Sequence, residues 1–502
     1  MTANLFTAFA PFFKKAADKP ALLCPADDAV ITYGDLEREV ARLANLLRAE
    51  GVAPGDRVAV QVEKSAENVV LYLACLKAGA VYLPLNTAYT DHELDYFFGD
   101  AEPRLIVCDP KRADGIRKLG STGEAVLHSL DANRGGTLMQ AASSMSDDSQ
   151  TVQRAAGDLA AILYTSGTTG RSKGAMVTHG NLRANAETLI EAWRISADDV
   201  LLHALPIYHV HGLFVALNTC LMTGAQILFH PKFDTDAVFD DLPNATLMMG
   251  VPTFYTRLLA SDRLTKERCR NMRLFIAGSA PLLDETFRAF EHKTGHAILE
   301  RYGMTETGML CSNPLNGERR PGTVGPPLAD VEARVADEQG SILDTGEVGV
   351  LEVRGPNVFK GYWRMPDKTK EEFRDDGFFI TGDISRIDED GYVHIVGRAK
   401  DMIISGGFNV YPKEIEAVID QVDGVGESAV IGLPHPDFGE GVAAVVASGD
   451  GLDQEAVVAA CKAELAGYKV PKAVFVVDAL PRNTMGKVQK NQLRERYAQA
   501  FI

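Results

Sequence analysis

The sequence predicts an α/β chain: a large N-terminal domain of parallel and mixed sheets flanked by helices, then a small α+β C-terminal domain. Three observations lead there. At 502 residues the chain exceeds what one ordinary hydrophobic core organises, so two or three domains are expected. Strand-like and helix-like segments alternate through most of the length, the pattern of parallel sheets with helices on their faces. Near residue 388 that alternation gives way to a hairpin and short strands, and roughly one hundred residues suffice for a separate domain.

Taken in order, RVAVQV (57–62) reads as a strand and SAENVVLYLACLKAG (65–79) as a helix ending on glycine, with AVYLPL as the next strand. The polar, Ser- and Asp-rich stretch 129–156 reads as a surface loop. ATLMMG (245–250) is a strand before a helix from Pro252, and RLFIAG (273–278) a strand before a helix from about Leu282. IDEDGYVHIVGR predicts a hairpin turning at Asp390-Gly391. Beyond it, MIIS, SAVIGL, GVAAVVAS and AVFVVD read as strands, with helices around 412–421 and 453–466. The boundary is expected at 397–400, giving domains over 1–397 and 401–502.

The net charge of −17 argues against non-specific affinity for nucleic acid or an anionic membrane. The seven cysteines form no CxxC pair or metal spacing, which suits reduced thiols in the cytoplasm. At the N-terminus the lysines follow the apolar run, the reverse of a signal peptide. The apolar stretch VVLYLACLKAGAVYLPL is broken by Lys77 and Gly79, short of the roughly 18 apolar residues a spanning helix needs.

Chemistry concentrates in YTSGTTGRSKG (Tyr164–Gly174), which follows the strand-like DLAAILY. Glycines free backbone N–H groups, hydroxyls donate, and cations neutralise, so the run suits phosphate. Its spacing is not that of a Walker loop, in which the second glycine adjoins the lysine. Four further stretches stand out: Tyr302-Gly-Met-Thr-Glu306, Thr381-Gly-Asp383, Gly397-Arg-Ala-Lys-Asp-Met-Ile and Asn483-Thr-Met-Gly-Lys487. Read singly, Glu306 is a helix-start carboxylate, Arg398 a surface arginine after a hairpin, and Lys487 a surface lysine.

Together, in this order, these motifs resemble those of the adenylate-forming superfamily, which includes acyl-CoA synthetases, stand-alone adenylation domains and luciferases. The resemblance implies an acid activated by ATP at its α-phosphate, pyrophosphate leaving, and the acyl-adenylate passed to a thiol. Thr165, Ser166, Gly167, Thr168, Thr169, Gly170 and Lys173 would cradle the phosphates. Glu306, with Thr165, would hold Mg²⁺, which takes hard oxygen ligands and few protein carboxylates. The resemblance assigns the adenine pocket to Gly278, Ser279, Ala280, Pro281, Glu300, Arg301 and Tyr302, continuing through Gly303, Met304 and Thr305. Asp383 and Arg398 would hold the ribose. Lys487 would meet the acyl carboxylate and the α-phosphate, and acetylation by a lysine acetyltransferase, reversed by a deacetylase, would silence it. The small domain would rotate as a mobile lid about a hinge at 398–400, centred on Lys400, and bring up Ser405, Gly406, Gly407 and Phe408 to line the coenzyme A channel.

The acid is read from HALPIYHVHGLF (203–214), VPTFYTRLL (251–259) and YGMTETG (302–308). His209 would shape the pocket beside Ser279, and Met304 would floor it against long chains. Arg257 reads by periodicity as a helix-surface arginine. A dicarboxylic acid, however, needs a cation for its second carboxylate, because burying that charge unpaired is costly. LYLACLKAGAVYLPLNTAYT, SNPLNGERRPGTVG and LPRNTMGKVQKNQLRERY resemble malonyl-CoA synthetases, which carry an arginine at this place. The resemblance therefore implies malonate, ATP and coenzyme A as substrates and Arg257 as the clamp. Val210, where Thr is expected, keeps methylmalonate open. Another short acid, or loading of a carrier protein, stands as an alternative.

Overall fold

The computed structural model describes residues 3–165, 172–405, 408–448, 452–483 and 486–502. They form two compact units, Met1–Glu332 with Arg354–Gly377, and Ala333–Val353 with Phe378–Ile502. The expected boundary falls inside the second unit, where the strand Val393–Arg398 enters a short 3-10 turn, Ala399–Asp401.

In the first unit the predicted strands and helices take their places, and among the described residues they build two sheets. One sheet, of six strands, runs in the order Val126–Ser129, Leu105–Cys108, Arg57–Gln61, Val81–Pro84, Leu159–Thr165, Lys173–Thr178. It is parallel except for the last pair. The other, of eight, centres on the parallel strands Gln226–Phe229, Val200–His203, Leu247–Gly250, Leu274–Ala277 and Leu299–Met304. Antiparallel strands finish its edges, Gly308–Ser312 at one and Ala29–Thr32 at the other.

The helix Ala66–Ala78 is buried along its whole length, which explains why its sequence is apolar all round. Ser65 caps its start by accepting from the Asn68 N–H, and Gly79 ends it at φ 76°. Its one cation, Lys77, stands 4.5 Å over the Phe6 ring. No helix of the described residues is long and apolar enough to cross a membrane.

The reading of 129–156 as a plain loop needs correction. Thr137–Ala142 is a helix whose Leu138 and Ala142, one turn apart, are buried. Carbonyls of Ser146 and Asp148 accept from Asn45, and that of Gln150 accepts from Arg48, so polar residues here dock through backbone groups.

The second unit opens with strands Glu332–Ala336, Gly349–Arg354, Phe379–Ile387 and Val393–Arg398, adjacent in that order. The last two form the predicted hairpin, with Gly391 at φ 83°. Beyond it, Val425–His435 and Gly439–Ser448 pair antiparallel, and Ala473–Val477 adds on parallel. Pro412–Ile419 and Gln454–Glu464 are the two predicted helices.

Candidate active site

The phosphate-loop motif joins two antiparallel strands, Leu159–Thr165 and Lys173–Thr178, in which Thr165 is the register partner of Lys173. Ser166, Gly167, Thr168, Thr169 and Gly170 lie outside the described residues. Lys173 is buried and firmly held. Its ammonium donates to Glu372 Oε1 at 2.9 Å and stands 4.2 Å over the Tyr362 ring. Hydrogen bonds from Tyr362 and Lys173 keep the Glu372 carboxyl below its ordinary range although burial pushes the other way.

Glu306 is also buried, and its carbonyl accepts from the Phe359 N–H at 2.7 Å. Its carboxylate reaches the Tyr362 hydroxyl at 3.1 Å. A cavity of about 20 Å³ beside it is lined by Asn181, Asn185, Val210, Thr305 and Asn357. Among the described residues no three His, Cys, Asp or Glu side chains form a protein-only metal cage. A buried single carboxylate fits Mg²⁺ carried in on nucleotide phosphates, which needs only one or two protein carboxylates.

The segments Gly278–Pro281 and Glu300–Thr305 lie at the ends of two adjacent parallel strands, with Ala277 in register with Glu300. Gly278–Pro281 follows the first strand, and Ser279 adopts φ 72°, a left-handed conformation that costs a non-glycine residue energy. Its hydroxyl lies 3.3 Å from His211 Nδ1. Glu300 Oε1 accepts from the Leu282 N–H at 3.2 Å. Tyr302 and Gly303 continue the second strand, and a Cβ on Gly303 would lie 2.0 Å from the Gly308 carbonyl. Only glycine fits there.

Arg301 is the outlier. It is 2% exposed, and its Nε and Nη2 have no hydrogen-bond partner. Burial pulls its pKa down to about 9, with a small opposing pull from Tyr255. Burial and the nearby Arg301 cation hold His211 well below the usual imidazole range, so His211 is neutral. His209 is half-buried, and its carbonyl accepts from the Leu213 N–H as a π-helical turn, His211–Leu217, begins. Such turns recur at functional sites. Met304 is half-buried, its N–H donating to Thr307 Oγ1 at 3.3 Å.

Arg257 lies on the helix Pro252–Leu259 that follows the strand Leu247–Gly250. Tyr255 and Leu258 turn their helix inward, which leaves Arg257 exposed. No hydrogen bond or ion pair holds it among the described residues. An exposed side chain there suits a helix surface and an open acid pocket alike, while the buried cation of this region is Arg301.

In the second unit the two expected ribose residues do meet. Asp383 and Arg398 are register partners on adjacent strands, and Asp383 Oδ1 lies 2.5 Å from Arg398 Nε. The Lys487 N–H donates to Asn483 Oδ1 at 2.9 Å. Arg482 donates to the Gly486 carbonyl and to Glu427. The Lys487 side chain remains accessible, yet crowding lowers its pKa to about 8. Desolvation leads, Arg398 and Lys400 add to it, and Asp383 and Asp401 oppose it.

Lys400 is exposed in the 3-10 turn after Arg398, next to Asp401, which accepts from Arg494 at 2.8 Å. Ser405 is buried and is the register partner of Phe408. Gly406 and Gly407 lie outside the described residues.

Sequence reasoning missed Tyr362 and Glu372. Tyr362 lies between Lys360 and Arg364 outside any of the quoted motifs, and Glu372 lies 199 positions from Lys173, so no local spacing links them.

A family model described as AMP-binding enzyme matches residues 9–363. A second, the AMP-binding enzyme C-terminal domain, matches 414–487. A feruloyl-CoA synthase from Amycolatopsis sp is 37% identical over 475 residues, covering 93% of this chain and 94% of that protein. A malonate–CoA ligase from Arabidopsis thaliana is 33% identical over 545 residues, covering 98% of this chain and 89% of that protein. The crystal structure of ATP-bound MatB from Rhodopseudomonas palustris superposes with a TM-score of 0.96 at 58% identity, covering 100% of both chains. The chain belongs to the AMP-binding enzyme family and is an AMP-forming acid–thiol ligase with ATP and coenzyme A as cosubstrates.

Proposed function

We propose that this AMP-binding family enzyme joins malonate to coenzyme A through malonyl-adenylate, giving malonyl-CoA, AMP and pyrophosphate. One observation carries the choice of acid: the buried guanidinium of Arg301, with two N–H groups unpartnered, beside Gly278 and the neutral His211. A buried cation without a counter-ion is costly, and an acid bearing a second carboxylate supplies one. Arg301 then joins Arg257 as a clamp for the second carboxylate, and its planar fork suits two carboxylate oxygens. Monocarboxylic acids leave that cation unpaired.

The reacting carboxylate attacks the α-phosphate, and negative charge grows on its oxygens. Lys487 meets that charge. Lys173 and the phosphate-loop motif steady the departing pyrophosphate, while Asp383 and Arg398 hold the ribose and fix the angle of attack. Glu306, with Thr165, would hold Mg²⁺ and so help neutralise the phosphates. The segment from Ser405 to Phe408 serves the thiol step, with Lys400 in the hinge. The accessible Lys487 is also the position where acetylation would remove the activating charge.

The test is a panel of acids with ATP, Mg²⁺ and coenzyme A, reading AMP and thioester. Malonate is expected to lead. Acetate preferred over malonate overturns the dicarboxylate assignment, and AMP without thioester points to carrier loading. Val210, where Thr is expected, makes methylmalonate the second acid of the panel.

A further inference from the structure

Lys64 and His203 form a buried pair with no part in the steps above. Lys64 follows the strand Arg57–Gln61 of the six-stranded sheet and directly precedes Ser65, the cap of the buried helix. His203 ends the strand Val200–His203 of the eight-stranded sheet. The two residues are 8% and 1% exposed. The Lys64 amine lies 2.8 Å from His203 Nδ1 and donates to the His203 carbonyl at 2.9 Å. It also stands 4.3 Å over the ring of Phe229, the register partner of His203.

The Gly212 carbonyl decides where the imidazole hydrogen sits. A carbonyl only accepts, and His203 Nε2 lies 2.9 Å from it. Burial and the adjacent Lys64 hold His203 well below the usual imidazole range, so the ring is neutral and carries one hydrogen. That hydrogen is on Nε2, and Nδ1 accepts from Lys64. Every donor along Lys64, His203 and Gly212 thus meets an acceptor, and each hydrogen bond polarises the next.

Gly212 belongs to the π-helical turn His211–Leu217. Its neighbour His211 is buried and holds Nδ1 3.3 Å from the Ser279 hydroxyl. The His209 carbonyl accepts from the Leu213 N–H across the start of the same turn. A grip on the Gly212 carbonyl therefore fixes the rotation of the turn, and with it the direction in which His211 points.

We infer that Lys64 and His203 are positioning residues for the acid: Lys64 orients the His203 ring, and the His203 Nε2–H grips Gly212 and so sets the turn that presents His211 to Ser279. This rests on the reading of Ser279, His211 and Arg301 as the acid pocket. A pair that merely joined the two sheets would act on stability and on both substrates alike.

The test is the full chain carrying Lys64→Met and His203→Phe together, read by KM for malonate, KM for ATP and thermal unfolding. Replacing both polar partners by apolar groups of similar size is close to neutral for stability. The His203 carbonyl keeps the His230 N–H at 3.1 Å, while the Gly212 carbonyl loses the imidazole donor. KM for malonate is expected to rise about fivefold, the scale of one hydrogen bond, with KM for ATP within about twofold. No rise for malonate, or an equal rise for both substrates, overturns the inference. Should the combined variant fail to fold, Lys64→Met decides alone: KM for malonate is expected to rise about threefold with that for ATP unchanged, and no rise overturns the inference. Long-range ¹H–¹⁵N spectra of the histidine-labelled wild type should place the His203 hydrogen on Nε2; a hydrogen on Nδ1 also overturns it. Arg301→Met separates the two levels. If it leaves KM for malonate unmoved, the reading of the pocket falls and the inference with it. If it raises that KM while the combined variant does not, the inference alone falls.

Discussion

The guanidinium of Arg301 closes on Gly278: a methyl group at position 278 would stand 2.5 Å from its Cζ. Gly278 follows the strand Leu274–Ala277 and Arg301 lies within its parallel neighbour Leu299–Met304, the two strands being paired through Ala277 and Glu300. The strands thus bring a buried cation against bare backbone.

Replacing that cation tests the acid assignment. Arg301→Met should lower kcat/KM for malonate on the order of 100-fold, the scale of a lost charge-assisted pair, and lower that for propionate far less. The same variant should unfold at a higher temperature than the wild type without ligand, because a buried unpaired charge has been removed. Arg257→Ala, at the exposed helix position, should lower the malonate-to-propionate ratio by less, because an exposed ion pair is worth less than a buried one. The ratio of kcat/KM values across both variants checks it, and a collapse in Arg257→Ala alone would leave Arg257 as the sole clamp.

These two arginines also mark what sequence reading reaches. Helix caps such as Ser65 and Gly79 are local, so the strand–helix grammar was legible from spacing alone. Asp383 and Arg398 each sit in a motif, and their pairing across a predicted hairpin follows from it. Burial of Arg301 depends on the strands around it, which no periodicity reveals. Lys173 with Glu372, and Tyr362 with Glu306, are contacts across long stretches of chain, set by the docking of residues 359–363. Leu138 and Ala142 were hidden by their polar neighbours.

The lowered pKa of Lys487 predicts an alkaline limit to adenylation. With its pKa lowered to about 8, it carries its charge below that value and loses it as pH rises through it. Adenylation, followed by pyrophosphate exchange, should therefore decline above about pH 8, and Lys487→Arg should move the decline upward. Lys487→Ala should abolish exchange yet still convert supplied malonyl-adenylate to thioester; equal loss of both steps would remove Lys487 from the first. Stability runs the other way. The folded chain binds fewer protons here than the unfolded chain between about 8 and 10.5, so this group favours folding more as pH rises through that window.

Asp383 is 2% exposed and bound to Arg398. If it accepts ribose hydroxyls, the enzyme should favour ATP over 2′-deoxy-ATP, and Asp383→Asn should raise KM for ATP about tenfold while shrinking that preference. The kinetic constants for both nucleotides check this. A variant that loses stability but keeps the preference would show Asp383 serving Arg398 alone.

Two glycines give opposite outcomes for one added methyl group, because what they meet differs. At Gly278 the obstacle is the end of a side chain, the Arg301 guanidinium at 2.5 Å. Gly278→Ala should therefore fold, with Arg301 displaced and malonate kcat/KM reduced at least tenfold by a shifted cation. At Gly303 the obstacle is backbone, the Gly308 carbonyl at 2.0 Å, with Met309 Cα at 2.8 Å. No rotamer relieves that clash, so the strand pair Leu299–Met304 and Gly308–Ser312 must separate. Gly303→Ala should cost roughly 2–3 kcal/mol in urea unfolding and impair ATP and malonate alike, since Met304 and Glu306 ride on that strand end. Unfolding midpoints and the two KM values distinguish the pair: a stable Gly303→Ala with normal KM for ATP would mean that the turn at Thr305–Thr307 holds Glu306 without the strand.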